Sequence, residues 1–327
     1  MYSLVVVASS MGMPEMFPDA AEERVRFPRR REGRSPQDLA TIVMLDYTAS
    51  TRAWLPTAAI VALLAQFDVT SAAARMTISR LVRRGILEGR RQGRHSFYRL
   101  TRSAAADLSI GGIAIAAFGV ETEPWDGSWT VVMFTVPEEA VAQRRALRGE
   151  LRWRGYAPLY DGVWVSPHPM TEETRSHLST STLGALTVLR AQHCDLKTGV
   201  TRNPVEAWDL TGVVERYEQF IRHWDGIATA IKDGSVTGAA ALRARTEMVD
   251  AYRGFLMIDP RLPAEVMQSD WPRAQARDLF VAVYDGLADP ARQYVREVVA
   301  GVDDGSSRGI RAHTVAELAA GIDVPTD

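Results

Sequence analysis

Arginines are concentrated in one short stretch within the first third of the chain. Residues 75–102 contain nine arginines and a single acidic residue, Glu88. Guanidinium groups bind phosphate oxygens and guanine edges through paired hydrogen bonds, so a cluster of this density indicates contact with a nucleic acid. For any one arginine a solvated surface position is the commoner explanation. The density of the whole set favours the nucleic-acid interpretation.

These arginines fall on a predicted helix over residues 71–84 and a predicted hairpin over residues 86–100. The helix has an apolar face, which consists of Ala74, Ile78, Leu81 and Val82. Its opposite face is predicted to contact DNA and consists of Ala72, Ala73, Met76, Arg80 and Arg83. The hairpin adds three further candidates, Arg90, Arg91 and Arg94. Small residues at the start of the helix allow it to enter the major groove, while the hairpin turn reaches the minor groove or flanking phosphates.

Two more helices are predicted before this pair of elements. Ser35 is a suitable N-cap with Pro36 at the first helical position, and a second helix begins near Pro56. Thr70 then caps the third helix, and Gly85 ends it. Three helices followed by a glycine-tipped hairpin predict a winged helix-turn-helix.

The distribution of charge supports a DNA-binding module carried by a larger body. The chain has a net charge of −2, but residues 35–102 carry +6 and residues 103–327 carry −9. A length of 327 residues favours two or three domains. Cys194 is the single cysteine, so no internal disulfide forms, and a reducing cytoplasm is the expected compartment. The apolar run Leu4–Ala8 is too short to span a bilayer, so no membrane association is expected.

The predicted architecture is α+β with three modules. Apolar runs and turn residues between 129 and 191 follow the β-α-β-β-α-β order of ferredoxin-like domains, and the chain is helical from Asp209 onward. The predicted divisions are a disordered extension (1–34), a winged-helix DNA-binding domain (35–118), a ferredoxin-like dimerisation or bracing domain (119–200), a helical effector-response domain (201–301) and a tail (302–327).

Several motifs make the chain resemble the PaaX family of transcriptional repressors, which control phenylacetate-degradation operons. In the N-terminal module they are SPQDL at Ser35–Leu39, RMTISRLVRRG at Arg75–Gly85 and SFYRLT at Ser96–Thr101. The later modules carry LRWRGY at Leu151–Tyr156, GVWVSP at Gly162–Pro167, YRGFL at Tyr252–Leu256, DPRLP at Asp259–Pro263 and DWP at Asp270–Pro272. The resemblance covers roughly residues 25–300, and the order of the three modules is more specific than the winged-helix motif.

The resemblance implies a function more specific than DNA binding. PaaX-like repressors bind operator DNA, usually as homodimers at inverted repeats, and leave it when an aryl-CoA thioester such as phenylacetyl-CoA accumulates. The chain is therefore expected to repress a catabolic operon and to have no enzymatic activity, cofactor or metal. A regulator of the same family that responds to a different ligand is the main alternative.

The middle module raises a less favoured alternative, a metal-dependent nuclease. It resembles the small ferredoxin-like nucleases of CRISPR adaptation, which place an aspartate at the end of the first strand to bind a metal. Here Thr135 stands at that position, and a neutral hydroxyl is a poor ligand for a hard cation. The substitution argues against catalysis by this module.

An aryl-CoA effector requires apolar aromatic walls together with cationic groups for its anionic nucleotide. The C-terminal module supplies candidates of both kinds, namely Trp208, Tyr217, Trp224, Arg253 and Trp271. Aromatic residues at helical spacing are more often core residues than ligand contacts. Arg253 and Trp271 lie in motifs shared with the PaaX family and are therefore the first residues to test.

Overall fold

The computed structural model describes residues 35–120, 124–181, 185–194, 202–267 and 269–325. The extension predicted over residues 1–34 lies outside this part of the chain. The described residues combine helices and strands, and they form two compact units. One unit contains residues 120–217 and 257–272, and the other contains the described residues up to 119, 218–256 and from 273 onward. None of the described helices has both the length and the apolar character required to cross a bilayer.

Three helices begin the second of these units. They are α1 (Pro36–Thr48), α2 (Thr57–Ala65) and α3 (Ser71–Arg83). The predicted caps are confirmed, since the Ser35 hydroxyl accepts the Asp38 N–H at 3.1 Å and the Thr70 hydroxyl accepts the Ala73 N–H at 3.3 Å. Gly85 adopts a φ of +71° after α3, a conformation that glycine tolerates without strain.

A three-stranded antiparallel sheet follows these helices. Its strands are β1 (Leu55–Pro56), β2 (Leu87–Gln92) and β3 (His95–Leu100), arranged in the order β1-β3-β2. The predicted hairpin is confirmed, and Gly93 at its tip has a φ of +61°. Strand β1 was not predicted, because it has only two residues, one of them proline, and so shows no alternating pattern. Helix α4 (Arg102–Ala117) follows β3 in the chain.

The other unit contains the predicted β-α-β-β-α-β order, which is confirmed. Its elements are β4 (Ser128–Phe134), α5 (Val141–Trp153), β5 (Ala157–Tyr160), β6 (Val163–Ser166), α6 (Glu172–Ser181) and β7 (Leu186–Gln192). The antiparallel sheet has the strand order β5-β6-β4-β7. Its core includes Val132, Leu151, Trp164 and Leu178. Proline at position 137 predicts a helix from Pro137 to Arg154, but α5 begins four residues later, because the Ala140 N–H bonds to the Pro137 carbonyl at 3.0 Å and closes a turn first.

The C-terminal region is helical, as predicted. It comprises α7 (Thr211–Lys232), α8 (Gly238–Tyr252), α9 (Phe255–Ile258), α10 (Arg273–Gly286), α11 (Ala288–Ala300), α12 (Asp304–Ser307) and α13 (Val315–Ala320), with short 3-10 turns at Pro204–Ala207 and Ala264–Val266. The segment predicted as a tail is packed into this region. Leu318 and Ile310 are buried, and the Ile322 N–H bonds to the Ser109 hydroxyl of α4 at 2.8 Å. The expectation of a tail is therefore corrected.

The two compact units also divide the chain differently from the predicted domains. Helices α1–α4 belong to the same unit as α8 and α10–α13, so the N-terminal module and most of the C-terminal helices share one core. The Tyr252 hydroxyl on α8 donates to the Phe118 carbonyl at the end of α4 at 2.9 Å. Arg277 on α10 donates to the same carbonyl at 2.8 Å. Sequence patterns identify the helices but not which helices share a core.

A buried polar cluster lies in this shared core. Arg245 on α8 is 0% exposed, and its Nε lies 3.5 Å from the Oδ2 of Asp46 on α1. Its guanidinium carbon lies 3.6 Å from the ring centroid of Tyr284, and its Nη atoms donate to the carbonyls of Tyr284 and His313. The Tyr284 hydroxyl donates to Asp46 at 2.7 Å. One guanidinium thus connects α1, α8, α10 and the segment before α13.

Arg245 stays charged and Tyr284 stays protonated in this buried cluster. Burial alone would lower the pKa of Arg245, but Tyr284, Asp46 and Tyr47 raise it further than burial lowers it, so the guanidinium remains charged. Burial raises the pKa of Tyr284 well above its usual value, so its hydroxyl stays a hydrogen-bond donor. The cluster therefore holds one cation and one carboxylate in a region without solvent access.

His313 should make stability depend on pH near neutrality. It is 6% exposed, and burial, with a smaller contribution from Arg245, lowers its pKa against the opposing effects of Asp46 and Glu317. Histidine in the unfolded chain binds a proton near pH 6.5, whereas folded His313 resists protonation to lower pH. The unfolded state therefore binds more protons, and the free energy of unfolding should fall below about pH 6.5 by up to about 1.4 kcal/mol per pH unit.

Urea unfolding between pH 5.5 and 7.5 measures this dependence. We expect His313→Gln to have a shallower pH slope than the unmodified chain, because the buried titrating group is removed. His95→Gln is the matched control, since it removes an exposed histidine instead of a buried one. An identical slope for His313→Gln and the unmodified chain would rule out His313 as the titrating group.

Candidate nucleic-acid interface

Helix α3 has one buried and one exposed face. Ala74, Thr77, Ile78 and Leu81 form the buried face. Ala72, Met76, Arg80 and Arg83 are exposed, which agrees with the predicted orientation of the helix. In the first two turns Ala72 and Met76 are uncharged and Arg75 is an exposed cation, and the last turn adds Arg80 and Arg83.

Two residues of α3 depart from the predicted faces. Val82 was expected in the core but is 37% exposed, and Ala73 was expected on the outer face but is half-buried. Both follow from the helical period, because successive residues are about 100° apart. The buried stripe runs from Ala74 to Leu81, and each of the two residues lies next to it on one side.

The arginines of the exposed α3 face and the hairpin tip are available for intermolecular contacts. Within the part of the chain that the structure describes, Arg80, Arg83, Arg91 and Arg94 make no ion pair with a carboxylate. Arg91 and Arg94 are exposed beside Gly93, and Arg91 donates to the Gly93 carbonyl at 3.4 Å. These cations can therefore bind phosphate without first breaking a salt bridge.

Arg90 has a different environment from the other two hairpin candidates. Its guanidinium carbon lies 4.5 Å from the ring centroid of Trp54 and 5.6 Å from that of Phe97. Such cation–π contacts favour one orientation of the guanidinium group. Arg90 is thus oriented by Trp54 and Phe97, whereas Arg91 and Arg94 lie at the hairpin tip.

Trp54 is a contributor that sequence reasoning missed. The guanidinium carbon of Arg99 also lies 4.5 Å from its ring centroid, so two arginines contact one indole. Glu88 accepts a hydrogen bond from Arg99 at 2.7 Å and another from Arg52 at 2.6 Å. These contacts orient the paired strands β2 and β3 relative to the turn before β1. Trp54 is far from the hairpin in sequence, so no local signal could have identified this role.

The five effector candidates do not all lie in one compact unit. Trp208, Tyr217 and Trp271 belong to the unit with β4–β7, whereas Trp224 and Arg253 belong to the other. Tyr217 is 0% exposed, and its hydroxyl donates to Asp259 at 2.6 Å. Trp224 is 2% exposed and packs beside Phe220. These two aromatic residues are core residues, which is the alternative that helical spacing allowed.

Trp208 and Trp271 are more accessible than the two buried aromatics. Both are half-buried. Trp208 lies 6.0 Å from Trp129 between ring centroids, and Trp271 lies 6.1 Å from Tyr217. The Trp271 indole N–H is buried and has no hydrogen-bond acceptor among the described residues. An unused donor next to an aromatic pair is suited to a ligand carbonyl.

Arg253 has carboxylate partners on two helices. It donates to Asp250 at 2.7 Å, and its Nη2 lies 3.7 Å from the Oδ1 of Asp38 on α1. These contacts connect the end of α8 to the first turn of α1. Arg253 therefore helps to hold together the core shared by the N- and C-terminal helices. An effector would have to compete with Asp250 and Asp38 for its guanidinium group.

Thr135 is the residue that the sequence analysis compared with the metal-binding aspartate of ferredoxin-like nucleases. Thr135 follows β4 directly and is exposed, and its N–H bonds to the Ala185 carbonyl at 3.0 Å. Among the described residues, His, Cys, Asp and Glu form no group of three that could hold a metal ion.

Family models match successive parts of the chain. The model described as "PaaX-like protein" matches residues 38–104. "PaaX protein central Cas2-like domain" matches residues 122–201, and "PaaX-like protein C-terminal domain" matches residues 208–297. Their order is the order of the three modules predicted from the sequence.

Two individual proteins are similar to the chain over much of its length. The transcriptional repressor PaaX of Escherichia coli strain K12 is 24% identical over an alignment of 235 positions, which covers 68% of this chain and 71% of that protein. The structure of an uncharacterized protein from Mycobacterium tuberculosis superposes with a TM-score of 0.52 at 21% identity and covers 78% of this chain and 96% of the other. The second similarity concerns the fold alone.

Proposed function

Since the chain belongs to the PaaX family of transcriptional repressors, we propose that it binds operator DNA through a winged helix-turn-helix formed by α1–α3 and the β2–β3 hairpin. Helix α3 is the proposed recognition helix, and the hairpin is the proposed wing. The exposed cationic groups of Arg80, Arg83, Arg91 and Arg94 carry this proposal, because none has a carboxylate partner among the described residues.

We propose different roles for helix α3 and for the β2–β3 hairpin. In helix-turn-helix proteins the first residues of the recognition helix contact base edges, so Ala72 and Met76 enter the major groove. Ala73 is half-buried and supports this approach by its small size. Arg91 and Arg94 at the hairpin tip bind flanking phosphates, while Arg90 is held against Trp54 and directs the hairpin.

We propose that the protein acts as a homodimer at an inverted repeat, with the Cas2-like domain as the dimerisation module. Two recognition helices about one DNA turn apart then read two half-sites. We propose no catalytic activity for the Cas2-like domain, since Thr135 replaces the carboxylate that a hard cation requires. The proposed site of action is the cytoplasm, where the operator is found.

The proposed effector is an aryl-CoA thioester such as phenylacetyl-CoA. Trp208 and Trp271 are the favoured aromatic contacts because both are partly accessible, and the Trp271 N–H is a suitable donor for the thioester carbonyl. The effector binds more tightly to a conformation that has low affinity for the operator, and it shifts the population by its difference in affinity for the two states. A family member with a different ligand would use the same mechanism.

A mobility-shift titration of the purified full chain on its own upstream region tests the proposal. We expect a specific complex that phenylacetyl-CoA releases and free phenylacetate does not. Binding without release would retain the repressor assignment and redirect the search to other acyl-CoA or aromatic ligands. Failure to bind any upstream fragment more tightly than unrelated DNA would refute the proposed function.

A further inference from the structure

The first half of α3 exposes an apolar side chain where a DNA-binding helix normally carries polar groups. Met76 is 55% exposed, and Ala72, one turn earlier on the same face, is exposed as well. Single exposed apolar residues are common on protein surfaces, so exposure by itself is uninformative. The position of Met76 on the helix is what makes its exposure informative.

Met76 lies at the centre of the surface proposed to enter the major groove. Ala72 precedes it by four residues and Arg80 follows it by four, so all three share one helical face. Ala72 has only a methyl side chain, which allows the helix to approach the bases closely. Neither Ala72 nor Met76 can donate a hydrogen bond to a base edge.

The major groove contains one apolar group, the C5-methyl of thymine. Methionine is unbranched and polarizable, so it adapts its shape to a small apolar partner. We infer that Met76 is a specificity-determining residue that recognises thymine by packing on this methyl group. The inference rests on the proposed DNA-binding function and adds the chemical class of base that the first half of α3 selects.

Replacing thymine with deoxyuridine removes the methyl group and leaves all hydrogen-bonding groups unchanged, so it isolates this contact. Each thymine of the operator fragment defined by the mobility-shift assay is replaced in turn. We expect one position in each half-site at which the unmodified chain binds the deoxyuridine operator about four-fold more weakly, the effect of losing one buried methyl-sized group.

Met76 variants assign that effect to one side chain. Met76→Ala should bind the thymine operator more weakly and show a thymine-to-deoxyuridine affinity ratio near one at the same position. Met76→Leu should retain most of the ratio, because it retains an apolar side chain. Val82→Ala is the matched control, since Val82 is also an exposed apolar residue of α3 but lies next to the buried stripe.

The outcomes separate this inference from the function on which it rests. If the unmodified chain binds its operator but no deoxyuridine substitution weakens binding, or if Met76→Ala retains the ratio, Met76 does not read thymine and the repressor assignment stands. If the unmodified chain binds no operator, both the proposed function and this inference fail. Equal thermal melting curves for Met76→Ala and the unmodified chain show that the fold is retained.

Discussion

Replacing Arg245 with methionine is expected to lower the free energy of unfolding by about 3–5 kcal/mol, the usual cost of removing one partner of a buried ion pair. The substitution leaves the Asp46 carboxylate, which is 2% exposed, without its cation. It also removes the donors to the Tyr284 and His313 carbonyls. Urea unfolding followed by far-UV circular dichroism measures the change.

Two comparisons show whether burial causes this loss. Arg292→Met removes the Arg292–Asp289 pair, in which the aspartate side chain is 86% exposed, and should change the free energy of unfolding by less than about 1 kcal/mol. Adding Asp46→Asn to Arg245→Met should recover part of the loss, because a neutral amide is less costly to bury than an unpaired carboxylate. A change of less than about 1 kcal/mol for Arg245→Met would contradict the proposed role of the cluster.

The second large effect concerns DNA binding. The double substitution of Arg80 and Arg83 with alanine should weaken operator binding roughly 30- to 1000-fold, or by about 2–4 kcal/mol, if each arginine makes one base or phosphate contact. Both side chains are exposed, so the fold should be unaffected. Fluorescence anisotropy at several salt concentrations measures the affinity and its salt dependence.

The salt series also distinguishes phosphate contacts from base contacts. Each phosphate contact that is lost should reduce the slope of log affinity against log salt by about 0.9, whereas a lost base contact should weaken operator binding more than nonspecific binding. Arg296→Ala, an exposed arginine on α11, is the control and should bind as the unmodified chain does. If the double variant binds its operator within about three-fold of the unmodified chain, α3 is not the recognition helix.

The local structure of the N-terminal module could be predicted because its signals are local. Ser35 and Thr70 have side chains that accept N–H groups only three residues away, and Gly85 and Gly93 adopt left-handed backbone conformations. Alternation and turn residues likewise predicted the β-α-β-β-α-β order of the Cas2-like domain. In each case the determining contacts lie within a few residues of one another.

Features that depend on distant residues were not predictable in the same way. Trp54 contacts Arg90 and Arg99, which are about forty residues further along the chain, and no short pattern identifies such pairs. The aromatic spacing in the C-terminal region fitted an effector pocket and a core equally well. The structure places Tyr217 and Trp224 in the core, because their burial depends on which helices pack around them.

The sequence by itself determined the order of the modules, the helix caps, the hairpin and the cationic face of α3, because short-range hydrogen bonds and helical periodicity specify these features. Only the tertiary structure decided that the N-terminal helices share a core with the C-terminal helices around Asp46 and Arg245. Those two residues are 199 positions apart. From sequence alone, an arginine on a helix is expected to be exposed to solvent. Only folding brings Asp46 within 3.5 Å of Arg245 and allows this arginine to be buried.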